Sequence, residues 1–156
     1  MDTFSEFLEQ YKDSYGYVSV QPSFKSISSI HSIINKGRLY DAIDIDELHM
    51  TLMYDVNNPL VKSYAKPDNI IKATMREVVI LGDALVILLD STDAHRRFNE
   101  LCELGFNPSY PDYIPHISLK YKPTERDLVN IKKVFKPYKD VEIQLYDETW
   151  SFNTGK

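Results

Sequence analysis

Cysteine is almost absent from this sequence, and so are the other features of secreted or membrane-bound chains. The single cysteine, Cys102, excludes an intrachain disulfide and a cysteine-based zinc cluster. No apolar run approaches the roughly 20 residues that a membrane-spanning helix requires. The opening residues, MDTFSEFLEQYKDSYG, are polar and acidic and do not resemble a signal peptide. These absences predict a cytoplasmic protein.

An excess of positive charge is also absent. Lys and Arg number 18 against 23 Asp and Glu, so the formal net charge is −5 at pH 7. Proteins that wrap long nucleic acids usually carry a basic excess, so we expect no such partner, whereas a small anionic ligand held by a local site is allowed. The 156 residues are 43% hydrophobic, which predicts a single domain, residues 1–156, with its own core.

Hydrophobic periodicity and turn residues predict alternating strands and helices. One helix is expected at residues 3–12, and a second is expected to begin at Pro22 and to end at Gly37. Residues 70–90 are expected to form a hairpin that turns at Gly82 and Asp83. The remaining predicted elements are strands at 17–21, 48–55, 116–121 and 141–150, and helices at 92–104 and 124–136.

The predicted elements form two copies of one strand–helix–strand unit. Tyr17 opens the first unit and His49 follows 32 residues later, and Ala84 and His116 have the same separation in the second unit. Each unit ends in the pattern His-x-Thr or His-x-Ser. This duplication predicts an α+β fold with two lobes related by a pseudo-twofold axis, with both histidine strands at a central cleft.

Polar residues of four predicted strands share one surface, because side chains alternate between the two faces of a strand. In LHMTLMYD, residues 48–55, His49 and Thr51 face one way, and the leucines and the methionine beside them face the other way. The same rule assigns to this surface His116, Ser118 and Lys120 from one strand, Tyr17, Ser19 and Gln21 from another, and Gln144, Tyr146, Glu148 and Trp150 from the last. The predicted cleft is therefore polar, bordered by aromatic rings, and holds two histidines.

Two histidines beside two hydroxyl groups are suited to phosphodiester cleavage. One neutral imidazole, of His49 or His116, can take a proton from the nucleophile, and the other, protonated, can give a proton to the leaving oxygen. Thr51, Ser118 and Lys120 can donate hydrogen bonds to the non-bridging phosphate oxygens. This chemistry requires no metal or other cofactor. The competing interpretation is that both histidines are structural and bonded within their strands.

The motifs HMTL at 49–52 and HISL at 116–119, on two strands of a duplicated α+β domain, resemble those of the two-histidine (2H) phosphoesterase superfamily. That superfamily includes the RNA 2′,5′-ligases and cyclic phosphodiesterases, is metal-independent, and acts on phosphodiesters beside a ribose 2′-hydroxyl. The resemblance implies that the histidine and the hydroxyl residue of each motif, namely His49, Thr51, His116 and Ser118, are catalytic.

Within that superfamily, the chain length, the acidic N-terminal segment and the closing YDETWSF are similar to phage nucleases directed against the bacterial CBASS defence. This resemblance implies cleavage of 3′,5′-linked cyclic di- and trinucleotides, such as 3′,3′-cyclic GMP-AMP, to linear products in the cytoplasm of an infected bacterium. It also implies stacking of a base on Trp150. Tyr17 is a second candidate platform for a base, and Lys120 is the candidate phosphate contact.

Other functions fit the same motifs. An RNA 2′,3′-cyclic phosphodiesterase or a 2′,5′-oligoadenylate phosphodiesterase would use the same residues, although the acidic charge disfavours tRNA-sized substrates. A protein that sequesters a cyclic nucleotide without cleaving it would need neither histidine as an acid or a base. The sequence leaves open which histidine is the base, whether the nucleophile is the 2′-hydroxyl or water, the base preference, the product ends and the oligomeric state.

Overall fold

The structure, a computed structural model, describes residues 16–57, 59–61 and 70–151, and the helix predicted at residues 3–12 lies outside these ranges. Within them, the strands and α-helices follow one another in the predicted order. The strands are β1 (Tyr17–Pro22), β2 (Met50–Tyr54), β3 (Ile71–Leu81), β4 (Ala84–Asp90), β5 (His116–Tyr121) and β6 (Glu142–Ser151). The α-helices are α1 (Phe24–Lys36), α2 (Thr92–Leu104) and α3 (Glu125–Phe135), with short 3-10 turns at Ile45–Glu47 and Lys136–Tyr138. None of the helices in the described ranges is long and apolar enough to cross a membrane.

Each α-helix begins after a serine or threonine that caps a free backbone N–H group of its first turn. The side-chain oxygens of Ser23, Ser91 and Thr124 each accept a hydrogen bond from a backbone N–H of the helix that follows. Asp127 completes a capping box in α3 by accepting the Thr124 N–H at 2.9 Å. The predicted start of α1 is corrected, because Pro22 is the last residue of β1 and Ser23 is the cap.

The strands pair in the order β1-β2-β5-β4-β3-β6, and β6 returns to pair with β1, so the described strands close into a ring. Each of these pairs is antiparallel. The turn between β3 and β4 uses Gly82, whose φ of +62° is readily adopted by a residue without a side chain. The mixed α and β content agrees with the predicted α+β class, whereas the two lobes and the pseudo-twofold axis stay predictions.

One face of the strands packs against the helices. The buried core joins strand residues to helix residues, and fully buried members include Val18, Met50, Leu52, Ile117, Ile30, Ile33, Leu101 and Ile131. The apolar residues that separate the polar positions of the two histidine motifs belong to this core. Because successive side chains of a strand alternate, the motif histidines and hydroxyl residues lie on the opposite face, which we call the histidine face.

Two strand irregularities reverse the alternation that the sequence predicts. The register between β6 and β1 shifts beside Asp147, whose φ is +62°, and beyond this bulge Trp150 pairs with the core residue Val18. The register between β4 and β5 also shifts, so that Lys120 pairs with the core residue Leu85. Directly paired residues share a face. The predicted placement of Trp150 and Lys120 on the histidine face is therefore wrong.

Candidate active site

The two histidine motifs meet where β2 and β5 pair. The middle residues of the motifs, Met50 and Ile117, form the pair that joins these strands. Because the strands are antiparallel, continuing this register by one residue each way sets each histidine opposite the hydroxyl residue of the other motif. The four side chains, those of His49, Thr51, His116 and Ser118, therefore form a compact group on the histidine face. They are partly exposed, while the two middle residues are fully buried.

Both histidine rings are oriented in the same way by the backbone. His49 Nδ1 lies 2.8 Å from the carbonyl oxygen of Glu47, and His116 Nδ1 lies 2.7 Å from the carbonyl oxygen of Ile114. A carbonyl oxygen can only accept, so Nδ1 carries the proton in each ring. In the neutral imidazole Nε2 is then the acceptor, which is the atom that a general base needs. The carbonyl lies two residues before the histidine in both motifs.

Tyr17 links the two polar residues of the first motif. Its hydroxyl lies 2.8 Å from His49 Nε2 and 2.7 Å from Thr51 Oγ1. Since Nε2 of neutral His49 accepts, the Tyr17 hydroxyl donates to it and accepts from the Thr51 hydroxyl. Burial raises the pKa of Tyr17 above its ordinary value, so the hydroxyl keeps its proton near neutral pH. The sequence predicts Tyr17 as a platform for a base, and the structure brings it to the histidine face.

Lys120 and Trp150 are directed elsewhere. Lys120 Nζ donates to Asp127 Oδ2 at 2.9 Å, at the N-terminal end of α3, and both side chains are largely buried. The Trp150 ring meets Phe106 edge to face at 5.3 Å between centroids, and its Nε1–H donates to Glu148 Oε2 at 2.9 Å. Neither contact is with a motif residue.

Glu148 is also on the helix side of the strands, against the prediction that it lines the cleft. Arg97 of α2 donates to both of its carboxylate oxygens, at 2.7 and 2.9 Å. The Glu148 and Arg97 side chains are only 5% and 11% exposed. The hydrogen bonds to this carboxylate raise the pKa of Arg97 above its ordinary value. The ion pair between Arg97 and Glu148 links the end of β6 to α2.

The loop before the second motif contributes a residue that the sequence analysis does not assign. The Tyr113 hydroxyl donates to the Thr51 carbonyl oxygen at 2.7 Å, and its ring stacks on Phe98 with 4.7 Å between centroids. The sequence signal that could have indicated this role is the concentration of tyrosine and proline in SYPDYIP, directly before the second histidine motif.

A cavity of about 410 Å³ opens beside the motifs. Thr51 and His116 line one side of it, and much of the remaining wall is aromatic or apolar, with contributions from Tyr54, Tyr110 and Tyr113. The rings of Tyr54 and Tyr110 lie 5.6 Å apart between centroids. Ligand sites are commonly cavities of this kind, in which an apolar wall adjoins a few polar groups.

Metal ligands do not converge in the part of the chain that the structure describes. No group of three or more His, Cys, Asp or Glu side chains within it could hold a metal ion. The two motif histidines face hydroxyl groups, and hydroxyls are uncommon zinc ligands.

Comparison with known proteins connects this site with a phage family. A family model described as "Anti-CBASS protein Acb1" matches residues 15–151, a range that includes both motifs. A protein of Escherichia phage RB16 described as "Anti-CBASS protein Acb1" is 22% identical over 140 residues, covering 86% of this chain and 79% of the relative. A protein of Vibrio phage KVP40 with the same description is 26% identical over 123 residues, covering 73% of this chain and 78% of the relative. The chain belongs to the Acb1 family.

Proposed function

We propose that this member of the Acb1 family is a metal-independent phosphodiesterase that cleaves 3′,5′-linked cyclic di- and trinucleotides, such as 3′,3′-cyclic GMP-AMP, to linear products. The family description and the phage relatives support an anti-CBASS role. Destruction of the cyclic nucleotide would remove the signal of the bacterial defence inside the infected cell. The paired motifs support membership of the 2H phosphoesterase superfamily.

One observation carries the proposal. His49 immediately precedes β2 and His116 begins the antiparallel neighbour β5, and each donates Nδ1–H to a backbone carbonyl, at 2.8 Å for His49 and 2.7 Å for His116. Nε2 of each ring is then the atom that can exchange a proton with the substrate, one as a base and one, when protonated, as an acid. At His49 this atom accepts from the Tyr17 hydroxyl, which a substrate would displace. A pair of purely structural histidines would not need the same tautomer.

The reaction requires two proton transfers around one phosphorus atom. The neutral histidine takes the proton of the attacking hydroxyl, a new P–O bond forms, the P–O5′ bond breaks, and the imidazolium gives its proton to the leaving 5′-oxygen. Ser118 donates a hydrogen bond to a non-bridging oxygen, on which charge builds up, and Thr51 donates another once its hydroxyl proton turns from Tyr17 to the substrate. We favour the adjacent ribose 2′-hydroxyl as nucleophile, because an intramolecular attack needs no separately positioned water.

The cavity beside Thr51 and His116 supports a nucleotide substrate. Its volume of about 410 Å³ leaves room for a planar base, and Tyr54 and Tyr110 offer aromatic faces in its wall. Aromatic side chains are platforms for bases of any sequence, each stacked base contributing roughly 1–3 kcal/mol. In this arrangement the base occupies the cavity while its phosphate lies at the motifs.

The test compares two substrates in the presence of excess EDTA. Purified protein is incubated with 3′,3′-cyclic GMP-AMP and, separately, with an RNA that ends in a 2′,3′-cyclic phosphate, and the products are separated by chromatography. His116→Ala is the control for contaminating nucleases. Loss of the cyclic dinucleotide with wild-type protein alone supports the proposal, and a 2′,3′-cyclic phosphate product end identifies the 2′-hydroxyl as nucleophile.

Three other results would contradict the proposal in different ways. Opening of the RNA end alone would identify an RNA 2′,3′-cyclic phosphodiesterase. Calorimetric binding of the cyclic dinucleotide without turnover would identify a sequestering protein. Activity that EDTA abolishes and a divalent metal restores would contradict the metal-independent mechanism.

A further inference from the structure

We infer that Tyr113 is a positioning residue that holds the Ile114 carbonyl in place and thereby fixes the tautomer and the direction of His116. The inference deepens the proposed function and rests on it, because it assigns the support of one of the two acid–base groups. Tyr113 acts through the backbone of the loop.

The hydroxyl of Tyr113 links the loop before the second motif to the first motif. It donates to the Thr51 carbonyl oxygen at 2.7 Å, so the loop before the second motif is attached to the strand of the first motif. Burial raises the pKa of Tyr113 well above its ordinary value, which keeps the hydroxyl protonated and able to donate. The pairing of Met50 with Ile117 joins the two strands themselves, and the Tyr113 hydrogen bond adds a link from the loop to the first motif.

The ring of Tyr113 packs against side chains of α2. It lies parallel to the ring of Phe98, with 4.7 Å between centroids and 3° between planes, and the edge of His95 approaches it at 5.2 Å. Phe98 and His95 both belong to α2, and Phe98 is 9% exposed. A ring held by a helix on one side and by a hydrogen bond at its tip has little freedom to shift.

The two residues that follow Tyr113 both accept hydrogen bonds through their carbonyl oxygens. The Ile114 carbonyl accepts from His116 Nδ1 at 2.7 Å, and the carbonyl of Pro115 accepts the Leu89 N–H at 3.0 Å. The Ile114 carbonyl is thus held between an anchor to β2 on one side and an anchor to β4 on the other. If the Tyr113 anchor is released, the carbonyl can rotate and the His116 ring can turn with it.

The first motif obtains the same orientation by another route. Glu47, whose carbonyl orients His49, ends a 3-10 turn in which the Glu47 N–H donates to the Asp44 carbonyl at 2.9 Å. The segment before His116 has no helical turn, since residues 106–115 are irregular in the structure. Before His116, the hydrogen bond from Tyr113 to Thr51 holds the backbone instead of a local turn.

The test is Tyr113→Phe, which removes the hydroxyl and keeps the ring that stacks on Phe98. Tyr138→Phe is the control, because the Tyr138 hydroxyl links the 3-10 turn Lys136–Tyr138 to α1, away from the motifs: it donates to Ser32 Oγ at 3.1 Å and accepts from Lys36 Nζ at 2.9 Å. We measure kcat and KM for 3′,3′-cyclic GMP-AMP, the melting temperature, and the ¹⁵N chemical shifts of the histidine ring nitrogens of both variants.

A positioning role predicts that Tyr113→Phe lowers kcat on the order of tenfold to a hundredfold and leaves KM within about twofold, since a small displacement of a reacting group is costly. The His116 ring nitrogens should move away from a pure Nδ1–H tautomer, while those of His49 stay unchanged. Tyr138→Phe should leave kcat and the His116 nitrogens unchanged, with a comparable fall in melting temperature.

An unchanged His116 tautomer in Tyr113→Phe would overturn the inference, and so would a rise in KM at constant kcat. The nitrogen spectra do not depend on turnover. If wild-type protein fails to cleave the cyclic nucleotide, the proposed function is wrong, and the spectra still decide whether Tyr113 orients His116.

Discussion

At the scale of single residues, each motif histidine is oriented by a backbone carbonyl. The carbonyls of Glu47 and Ile114 fix which ring nitrogen of His49 and His116 carries the proton without placing a full negative charge beside the ring. Such a ring can serve in either protonation state, which an acid–base pair requires. The two sites differ at Nε2, because Tyr17 donates to this atom in His49. Tyr17 is therefore expected to matter for one histidine in particular.

We predict that Tyr17→Phe lowers kcat/KM for 3′,3′-cyclic GMP-AMP by roughly fivefold to a hundredfold, because it removes two hydrogen bonds that each contribute about 0.5–1.5 kcal/mol. The variant keeps the ring and removes the hydroxyl that joins His49 Nε2 to Thr51 Oγ1. Steady-state kinetics at pH 7 measure the change. Wild-type kcat/KM in the variant would mean that the hydroxyl has no part in the reaction.

Tyr110 offers a separate test of the cavity. Its side chain is 71% exposed and lies in the cavity wall near Tyr54. Tyr110→Ala should raise KM roughly tenfold with kcat little changed, because a stacked base contributes about 1–3 kcal/mol. Tyr40→Ala is the matched control, since Tyr40 is 74% exposed and does not line the cavity. Equal KM values for the two variants would exclude Tyr110 from substrate binding.

The sequence predicts the motif residues well, because period-2 alternation determines which side chains share a face. His49, Thr51 and Tyr17 lie on the histidine face as expected. Lys120 and Trp150 do not, because each follows a bulge whose extra residue moves the side chains after it to the opposite face of the strand. A bulge depends on the partner strand as well as on local sequence, so alternation alone places such residues on the wrong face.

At the scale of elements, the three described helices lie where the sequence predicts them, apart from the start of α1, and each follows a hydroxyl residue that caps its first turn. Thr124 and Asp127 illustrate this in α3, where they form a capping box at the start of the helix. The structure adds that Lys120 of β5 also binds Asp127. Lys120, which the sequence predicts as a phosphate contact, therefore binds the first turn of α3 instead.

Asp127→Asn should destabilise the protein by about 1 kcal/mol at pH 7, the usual effect of weakening a helix cap. Burial alone would raise the pKa of Asp127, but hydrogen bonds from Thr124 and Lys120 more than offset it, so the pKa lies below its ordinary value. The carboxylate therefore stabilises the fold above about pH 4 and loses this effect as the pH falls through the lowered pKa.

Urea unfolding of wild type and Asp127→Asn at pH 7 and pH 3 measures this linkage. The difference in unfolding free energy should shrink at the lower pH, where the wild-type carboxylate begins to take up a proton. A difference of the same size at both pH values would show that the charge of Asp127 contributes nothing to α3.

At the scale of the whole molecule, the six strands of the described residues close into a ring in which β2 and β5 are neighbours. The equal spacing within the two units predicts that these strands come together, and their pairing agrees with it. The pairing of β3 with β6 could not be predicted, because Ile71 and Leu145 are brought together only by tertiary packing. The ring order is therefore information that the structure adds.

The measurement that tests the central claim most directly is the turnover of 3′,3′-cyclic GMP-AMP by wild type, His49→Ala, His116→Ala and the double variant. His31→Ala is the control, because His31 is an exposed residue of α1 whose ring nitrogen contacts Asn35. Melting temperatures and binding of the cyclic nucleotide are measured alongside for every variant.

If the two histidines act as one acid–base pair, each single variant should lose about three orders of magnitude in kcat. The double variant should lose little more than either single variant, because residues that act as a unit are not additive. Binding, fold and the activity of His31→Ala should be retained. Wild-type turnover in either His49→Ala or His116→Ala would contradict the account.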